Sequence, residues 1–202
     1  MTLVLDAGRV SGLIFDCDGT LVDTASAHYY ALLDGLTEQG LTMDSAWYFE
    51  RVGLTPAALF DAFEAVVGPF DRQRLSDGHM MAFQAGSSRL EEVKVIASIA
   101  REWKGRVPMA VASNGTRLIV QATLRETGLL ELFDTVVVVE DVAAGKPAPD
   151  VFLEAARRMG VAAERCVVFE DSDEGLEAAR RAGMDGRDIR LVFTPAWKTA
   201  MG

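Results

Sequence analysis

Asp16 and Asp18 stand two residues apart in the segment FDCDGTLVDT, and Glu170 and Asp171 adjoin one another in VVFEDSDEG. Ser113 and Asn114 sit in ASNG, and Lys146 in GKPAPD. Each acidic or hydroxyl-bearing segment directly follows an apolar run: Gly12–Phe15 leads into Asp16, residues 107–112 into Ser113, and Cys166–Phe169 into Glu170. Lys146 lies in the loop beyond a further run, Thr135–Val139. Ligands of open α/β sheets bind beyond the carboxyl ends of the strands. Groups spread from position 16 to position 171 can therefore meet at one place.

That set suits phosphoryl transfer. Four carboxylates gathered together repel one another unless they are protonated or bridged by a cation. Mg2+ takes oxygen ligands and keeps substrate phosphate in its shell, so a phosphate dianion can approach an aspartate that would otherwise repel it. The Ser113 hydroxyl, Lys146 and the backbone amides of Cys17 and Asn114 can hold phosphoryl oxygens. In-line attack by Asp16 would form an aspartyl phosphate. Asp18 can protonate the leaving alkoxide and later deprotonate water. Taken singly, these residues have ordinary readings. Ser113 could cap a helix, Lys146 could be a surface charge beside two stiffening prolines, and residues 170–172 could simply start a helix. Their joint placement after strand-like runs favours one site.

The runs at 12–15, 107–112, 135–139, 166–169 and 189–193 are apolar throughout, as strands buried on both faces of a parallel sheet are. Helical patterns fill the intervals at 117–127, 149–159 and 172–182, each followed by a glycine stop signal. Alternating strand and helix imply an α/β sheet covered on both faces. Residues 25–90 break the rhythm. Tyr29, Leu32, Leu33 and Leu36, then Leu59, Phe60, Phe63, Val66 and Val67, recur at helical spacing. A helical insert between the first strand and the rest of the core is expected, with the core formed by 1–24 and 91–202.

A chain of 202 residues can bury one core without staples. Its net charge of −10 argues against a nucleic-acid partner, whose affinity comes from Lys and Arg. Cys17 and Cys166 lie inside apolar runs and read as small buried hydrophobes in a reducing compartment. The first twelve residues show no secretory signal pattern, and no run reaches the length of about 18 apolar residues that a membrane span needs. A cytoplasmic enzyme with a small phosphorylated partner is the expectation. Nothing in the sequence reads out an oligomeric state.

The motifs FDCDGTLVDT, ASNG, GKPAPD and VVFEDSDEG together resemble the haloacid dehalogenase (HAD) superfamily, in the family's order and over nearly the whole chain. The resemblance implies a Rossmann-like parallel-sheet core with an inserted small α-helical cap domain at 25–90 that closes as a lid. It makes Asp16 the nucleophile, Asp18 the general acid/base, and Ser113 and Lys146 the phosphate holders. It also implies a Mg2+ site formed by Asp16, the backbone carbonyl of Asp18, Glu170 and Asp171. The family's dehalogenase branch lacks an acid at the position of Asp18, so phosphate esters are the expected substrates. Asp23, Thr24 and His28 match the D-T-x-x-x-H hinge pattern of the beta-phosphoglucomutase branch, which makes Thr24 and His28 substrate-side residues. The stretch from 157 to 185 is similar to sugar phosphatases of the same branch, acting on fructose 1-phosphate and 6-phosphogluconate. A Mg2+-dependent sugar phosphatase is implied, with a beta-phosphoglucomutase-like phosphomutase as the alternative. Pro56 in GLTPAAL stands where the mutases carry a phosphate-gripping arginine, with Arg51 nearby. Specificity would come from residues of the insert such as Tyr29, Trp47, Phe49, Arg51 and His79.

Overall fold

The computed structural model describes residues 5–6, 8–52, 54–85 and 90–200. The first four residues, part of the segment read as lacking a signal pattern, lie outside the described residues. The chain divides into two compact units: Met1–Asp23 with Leu90–Pro195, and Thr24–Arg89 with Ala196–Gly202.

The first unit is built on five parallel strands, β1 (Gly12–Phe15), β4 (Met109–Ala112), β5 (Thr135–Val137), β6 (Cys166–Glu170) and β7 (Asp185–Asp188). Their spatial order is β5-β4-β1-β6-β7. The chain winds outward from β1 through β4 to β5, then returns to β6 on the other side of β1. The order reverses between β1 and β6, and the crevice beyond such a reversal is where α/β sheets bind ligands. Phe15 pairs in register with Phe169 and with Val111. The residues that follow, Asp16, Glu170 and the Ala112–Ser113 step, thus leave the sheet at nearly one level. A two-stranded antiparallel ribbon, β2 (Val22–Asp23) with β3 (Glu91–Glu92), adjoins the two chain crossings between units.

Alternation along the strands feeds two cores. Leu13, Phe15, Val111 and Phe169 face a layer with Ile96, Ala97, Ala100 and Trp103 of α5 (Lys94–Trp103) and Val120 and Leu124 of α6 (Arg117–Glu126). Ile14, Ala110, Val137 and Val168 face Phe152 and Ala155 of α7 (Asp150–Met159) and Ala178 and Ala179 of α8 (Asp173–Arg181). β1, β4 and β6 are buried at every residue, which is why their sequences are continuously apolar. α7 and α8 repeat the segment Leu-Glu-Ala-Ala-Arg-Arg, at 153–158 and 176–181. In both, the glutamate accepts from the two arginines of the last turn, and a left-handed glycine follows. α5 is a further element, outside the helical patterns set out above.

The expected last strand at 189–193 is corrected. Residues 189–191 form a 3-10 turn, and the polar segment Asp-Gly-Arg-Asp makes β7 one step earlier, paired with β6. β7 is an edge strand with one hydrogen-bonded neighbour, so it needs no apolar run to hold its place.

The second unit is helical: α1 (Ala25–Thr37), α2 (Ser45–Phe49), α3 (Pro56–Val67), α4 (Arg72–Ala85) and α9 (Ala196–Ala200). Its core is Tyr29, Leu32, Leu36, Met43, Tyr48, Leu59, Phe63 and Leu75. α1 and α4 run antiparallel: Gln39 exchanges side-chain hydrogen bonds with the backbone of Asp71, while His28 near the other end meets His79. A Cβ at Gly35 would lie 3.0 Å from Leu75 Cδ1, so glycine there permits the close helix approach. Residues 196–200 belong to this unit and not to the core, where the sequence reading put them. The cause is Trp197, whose ring stacks on Phe49 at 5.1 Å. No helix among the described residues is long and apolar enough to cross a membrane.

Candidate active site

β1 ends by delivering Asp16, which is 6% exposed and fixed by its backbone N–H to Phe169 O at 3.0 Å. Its Oδ1 accepts from Lys146 Nζ at 2.5 Å, and the same ammonium donates to Glu170 Oε2 at 2.7 Å. The ammonium also lies 5.0 Å from the centre of the Phe152 ring. Asn114 seats the lysine: Lys146 N donates to Asn114 Oδ1 at 2.8 Å, and Asn114 Nδ2 donates to Lys146 O at 3.2 Å. Gly145 is needed beside that clamp, because a Cβ there would come within 2.7 Å of Asn114 Oδ1. The side chain of Asn114 is thereby committed to the lysine loop, a role that the strand-end pattern did not disclose.

Glu170 closes β6 and is saturated with donors. Its Oε1 accepts from Ser172 Oγ at 2.7 Å and from the backbone N–H groups of Asp171 and Ser172. Gly175 on α8 leaves room for it; a Cβ there would lie 2.0 Å from the carboxyl carbon. Asp171 accepts from Thr20 Oγ at 3.0 Å. Gly19, at a φ of 81°, would meet Asp171 Oδ2 at 2.2 Å if it had a side chain. Ser113 Oγ accepts from Gly115 N at 2.9 Å and donates towards Asp18 Oδ2 at 3.4 Å.

The core unit thus brings together Asp16, Asp18, Ser113, Asn114, Lys146, Glu170 and Asp171. Thr24 and His28 are in the helical unit. Thr24 is buried before α1 and accepts from His28 N at 2.9 Å through its carbonyl. His28 pairs with His79, Nδ1 to Nε2, at 3.0 Å. Thr20, absent from the expected set, and His79, expected only among the residues that would set specificity, therefore touch members of it. Thr20 is flagged by its place in D-x-D-G-T; nothing local flags the pairing of His79 with His28.

The electrostatics are those of a crowded acidic pocket. Burial, then the charge of Glu170, pushes the Asp16 carboxyl well above its ordinary range, although Lys146 pulls the other way. Burial and Glu170 likewise push Asp171 up to about 7. Burial would lower the Lys146 ammonium, but Asp16 and Glu170 outweigh it and hold it above the usual lysine range. One ammonium does not neutralise three carboxylates.

A divalent cation fits this place. One oxygen each of Asp16, Glu170 and Asp171 lies within 4.8 Å of the others. The donors are all hard carboxylate oxygens, the kind that Mg2+ selects. The two glycine-lined cradles, at Gly19 and Gly175, hold two of these carboxylates in place.

Comparison with known proteins agrees with the geometry. Residues 10–183 match the haloacid dehalogenase-like hydrolases. The chain is 38% identical over 190 residues to the fructose-1-phosphate phosphatase YqaB of Escherichia coli, covering 91% of this chain and 98% of that protein. It is 28% identical over 191 residues to the 6-phosphogluconate phosphatase of Escherichia coli, covering 88% and 81%. Among solved structures, CbbY from Rhodobacter sphaeroides in complex with phosphate superposes with a TM-score of 0.77 at 28% identity, covering 88% of this chain and 84% of that one. The chain belongs to the haloacid dehalogenase-like hydrolases. Its place among them is with the phosphatases.

Proposed function

We propose that this chain is a Mg2+-dependent phosphatase that hydrolyses a sugar phosphate through an aspartyl phosphate on Asp16. The observation that carries the reading is the Lys146 ammonium set between Asp16 and Glu170, with Asp171 alongside. It leaves an anionic surplus for a cation and a carboxylate at the head of the crevice. Mg2+ would be held by Asp16, Glu170, Asp171 and the backbone carbonyl of Asp18, and would supply charge neutralisation for the incoming phosphate. Asp16 attacks phosphorus, and the bond to the sugar oxygen breaks. Asp18 gives its proton to that oxygen, then takes one from the water that cleaves the aspartyl phosphate. Lys146 and Ser113 hold non-bridging oxygens. Residues 25–90 act as the cap, with Thr24 and His28 on the substrate side.

The sugar-phosphate class rests on the two phosphatase relatives. Hydrolysis is favoured over phosphoryl return to a sugar, because among the described residues the helical unit offers little cationic grip near Pro56. Pro56 is the first residue of α3, and Thr55 caps that helix through Ala58 N. Gly53, which precedes it in the pattern, lies outside the described residues. Arg51 is already committed: its guanidinium sits 4.3 Å over the Trp47 ring and donates to Trp47 O and Glu50. Tyr29 and Trp47, expected to set specificity, are used in packing, with Tyr29 Oη donating to Met43 O and Trp47 against Phe63.

The test is inorganic phosphate release across fructose 1-phosphate, 6-phosphogluconate, glucose phosphates, phosphoglycolate and nucleotides, with Mg2+ and with EDTA. Release from a sugar phosphate that EDTA abolishes is expected. With beta-glucose 1-phosphate and a trace of glucose 1,6-bisphosphate, rapid conversion to glucose 6-phosphate with little free phosphate would overturn the hydrolase reading.

A further inference from the structure

The two histidines of this chain are 51 positions apart, yet they are hydrogen-bonded. His28 lies one turn into α1 and His79 in the second turn of α4. His28 Nδ1 and His79 Nε2 are 3.0 Å apart. The geometry of both rings is over-determined. They stack with centroids 5.2 Å apart and 19° between planes, and His28 also stacks on Phe83 at 4.4 Å. Phe83, one helical turn beyond His79, is 1% exposed. Gly35 and Gly78, facing one another across the helix pair, let the two backbones come close enough for the rings to meet.

An imidazole hydrogen bond of this kind has two forms. Either His28 donates from Nδ1 and is left with a bare Nε2, or His79 donates from Nε2 and His28 keeps its proton on Nε2. The second form uses the intrinsically more stable tautomer in both rings, and the hydrogen bond made at one ring nitrogen decides the state of the other. Burial, then the neighbouring His28, lowers His79 to about 3, so His79 stays neutral across the range in which an enzyme works.

We propose that His79 is the positioning residue for His28: it donates its Nε2–H to His28 Nδ1 and so fixes His28 as a standing Nε2–H donor to an oxygen of the phosphorylated substrate. The ligand half of this rests on the reading that His28 belongs to the substrate side; the dyad itself does not. His79 is thus a support that reaches substrate only through His28, and an N–H donor there would recognise a hydroxyl or phosphoryl oxygen.

With two histidines in the chain, a long-range proton–nitrogen correlation spectrum of the labelled imidazoles has four ring nitrogens to assign. At pH 7.5 both rings should carry their proton on Nε2, with His28 Nδ1 shifted as a hydrogen-bond acceptor. His28 protonated on Nδ1 would overturn the proposal. In kinetics on the sugar phosphate turned over fastest in the panel above, His79→Phe keeps the stacked ring and removes the donor. It should raise KM about tenfold with kcat nearly unchanged, the scale of one lost hydrogen bond. His79→Gln, which can still donate, should recover most of that loss. In the double variant with His28→Phe, the His79 change should add nothing further, because residues acting through one contact are non-additive. Additive effects, or an unchanged KM in His79→Phe, would refute the positioning role. An unchanged KM in His28→Phe alone would instead reject the substrate-side reading of His28, while the nitrogen spectrum still decides the dyad. Should His79→Phe fail to fold, the wild-type spectrum and His79→Gln carry the test.

Discussion

In the core unit the polar groups of the site are gripped from several strands at once. Lys146 bonds Asp16 from β1 and Glu170 from β6, Thr20 bonds Asp171, and Asn114 after β4 clamps the lysine backbone. Burial, and then charge that is concentrated and only partly compensated, hold Asp16 and Asp171 above their ordinary ranges. In the helical unit the half-buried polar pair is two histidines, and loss of solvent keeps His79 neutral. Its ion pairs, such as Arg72 with Asp61 and Glu64, lie at the surface. The contrast separates two ways of preparing a site. One gathers charge that a bound cation would relieve; the other sets a hydrogen bond between two rings.

Asp16→Asn should have the greatest effect on the core unit. The amide keeps the shape but is no nucleophile, so kcat should fall by at least about a thousandfold, as losing a nucleophile does elsewhere. Because Asp16 is buried among like charges, the variant should fold at least as stably as the parent without Mg2+. Phosphate release and thermal unfolding measured on the same sample check both halves. Activity above a tenth of the parent would remove Asp16 from its role. Thr20→Val asks less. The swap keeps the volume but takes the hydroxyl from Asp171, and loss of such an outer hydrogen bond should weaken Mg2+ activation about tenfold. A Mg2+ titration of kcat that is superimposable on the parent's would mean that the hydroxyl does not orient the carboxylate.

The core was legible for a physical reason. Strands β1, β4 and β6 are covered on both faces, so their sequences are uniformly apolar, and the polar residues that end them stand out. β7 was misplaced because an edge strand may be polar: Asp185, Gly186, Arg187 and Asp188 carry no apolar signature, while the apolar stretch after them supplies Ile189 to the core from a 3-10 turn. Thr20 was visible as part of a motif but its partner, 151 positions away, was not. Asn114 was read for its backbone, whereas its side chain holds Lys146. His79 was named for specificity but not for its bond to His28, because a pairing across antiparallel helices depends on tertiary register. The placement of Trp197 was missed for the same reason.

The smallest expected effect separates the units by pH. Between about 3 and the 6.5 of an ordinary histidine, the unfolded chain holds a proton at His79 that the folded ring does not. The unfolded state then binds more protons, so the helical unit loses stability as pH falls through that window. At pH 5.0, 1.5 units below the ordinary histidine value, the loss is about 2 kcal/mol at 1.36 kcal/mol per unit. Asp171 has the opposite sign. Between the ordinary 3.8 and about 7 the folded carboxyl holds a proton that the unfolded chain has released, so the core gains stability as pH falls. Hydrogen exchange resolved by segment, corrected for intrinsic rates, should show protection in α1 and α4 falling from pH 7.5 to 5.0 while that in β1 and β6 rises. Mg2+ should flatten the response of the core, because a bound cation holds Asp171 ionised in the folded state. His79→Phe should flatten that of the helices and leave the core unchanged. If α1 and α4 kept their protection at pH 5.0, His79 would be taking up a proton in the folded state, and its reading as a neutral ring would have to be abandoned.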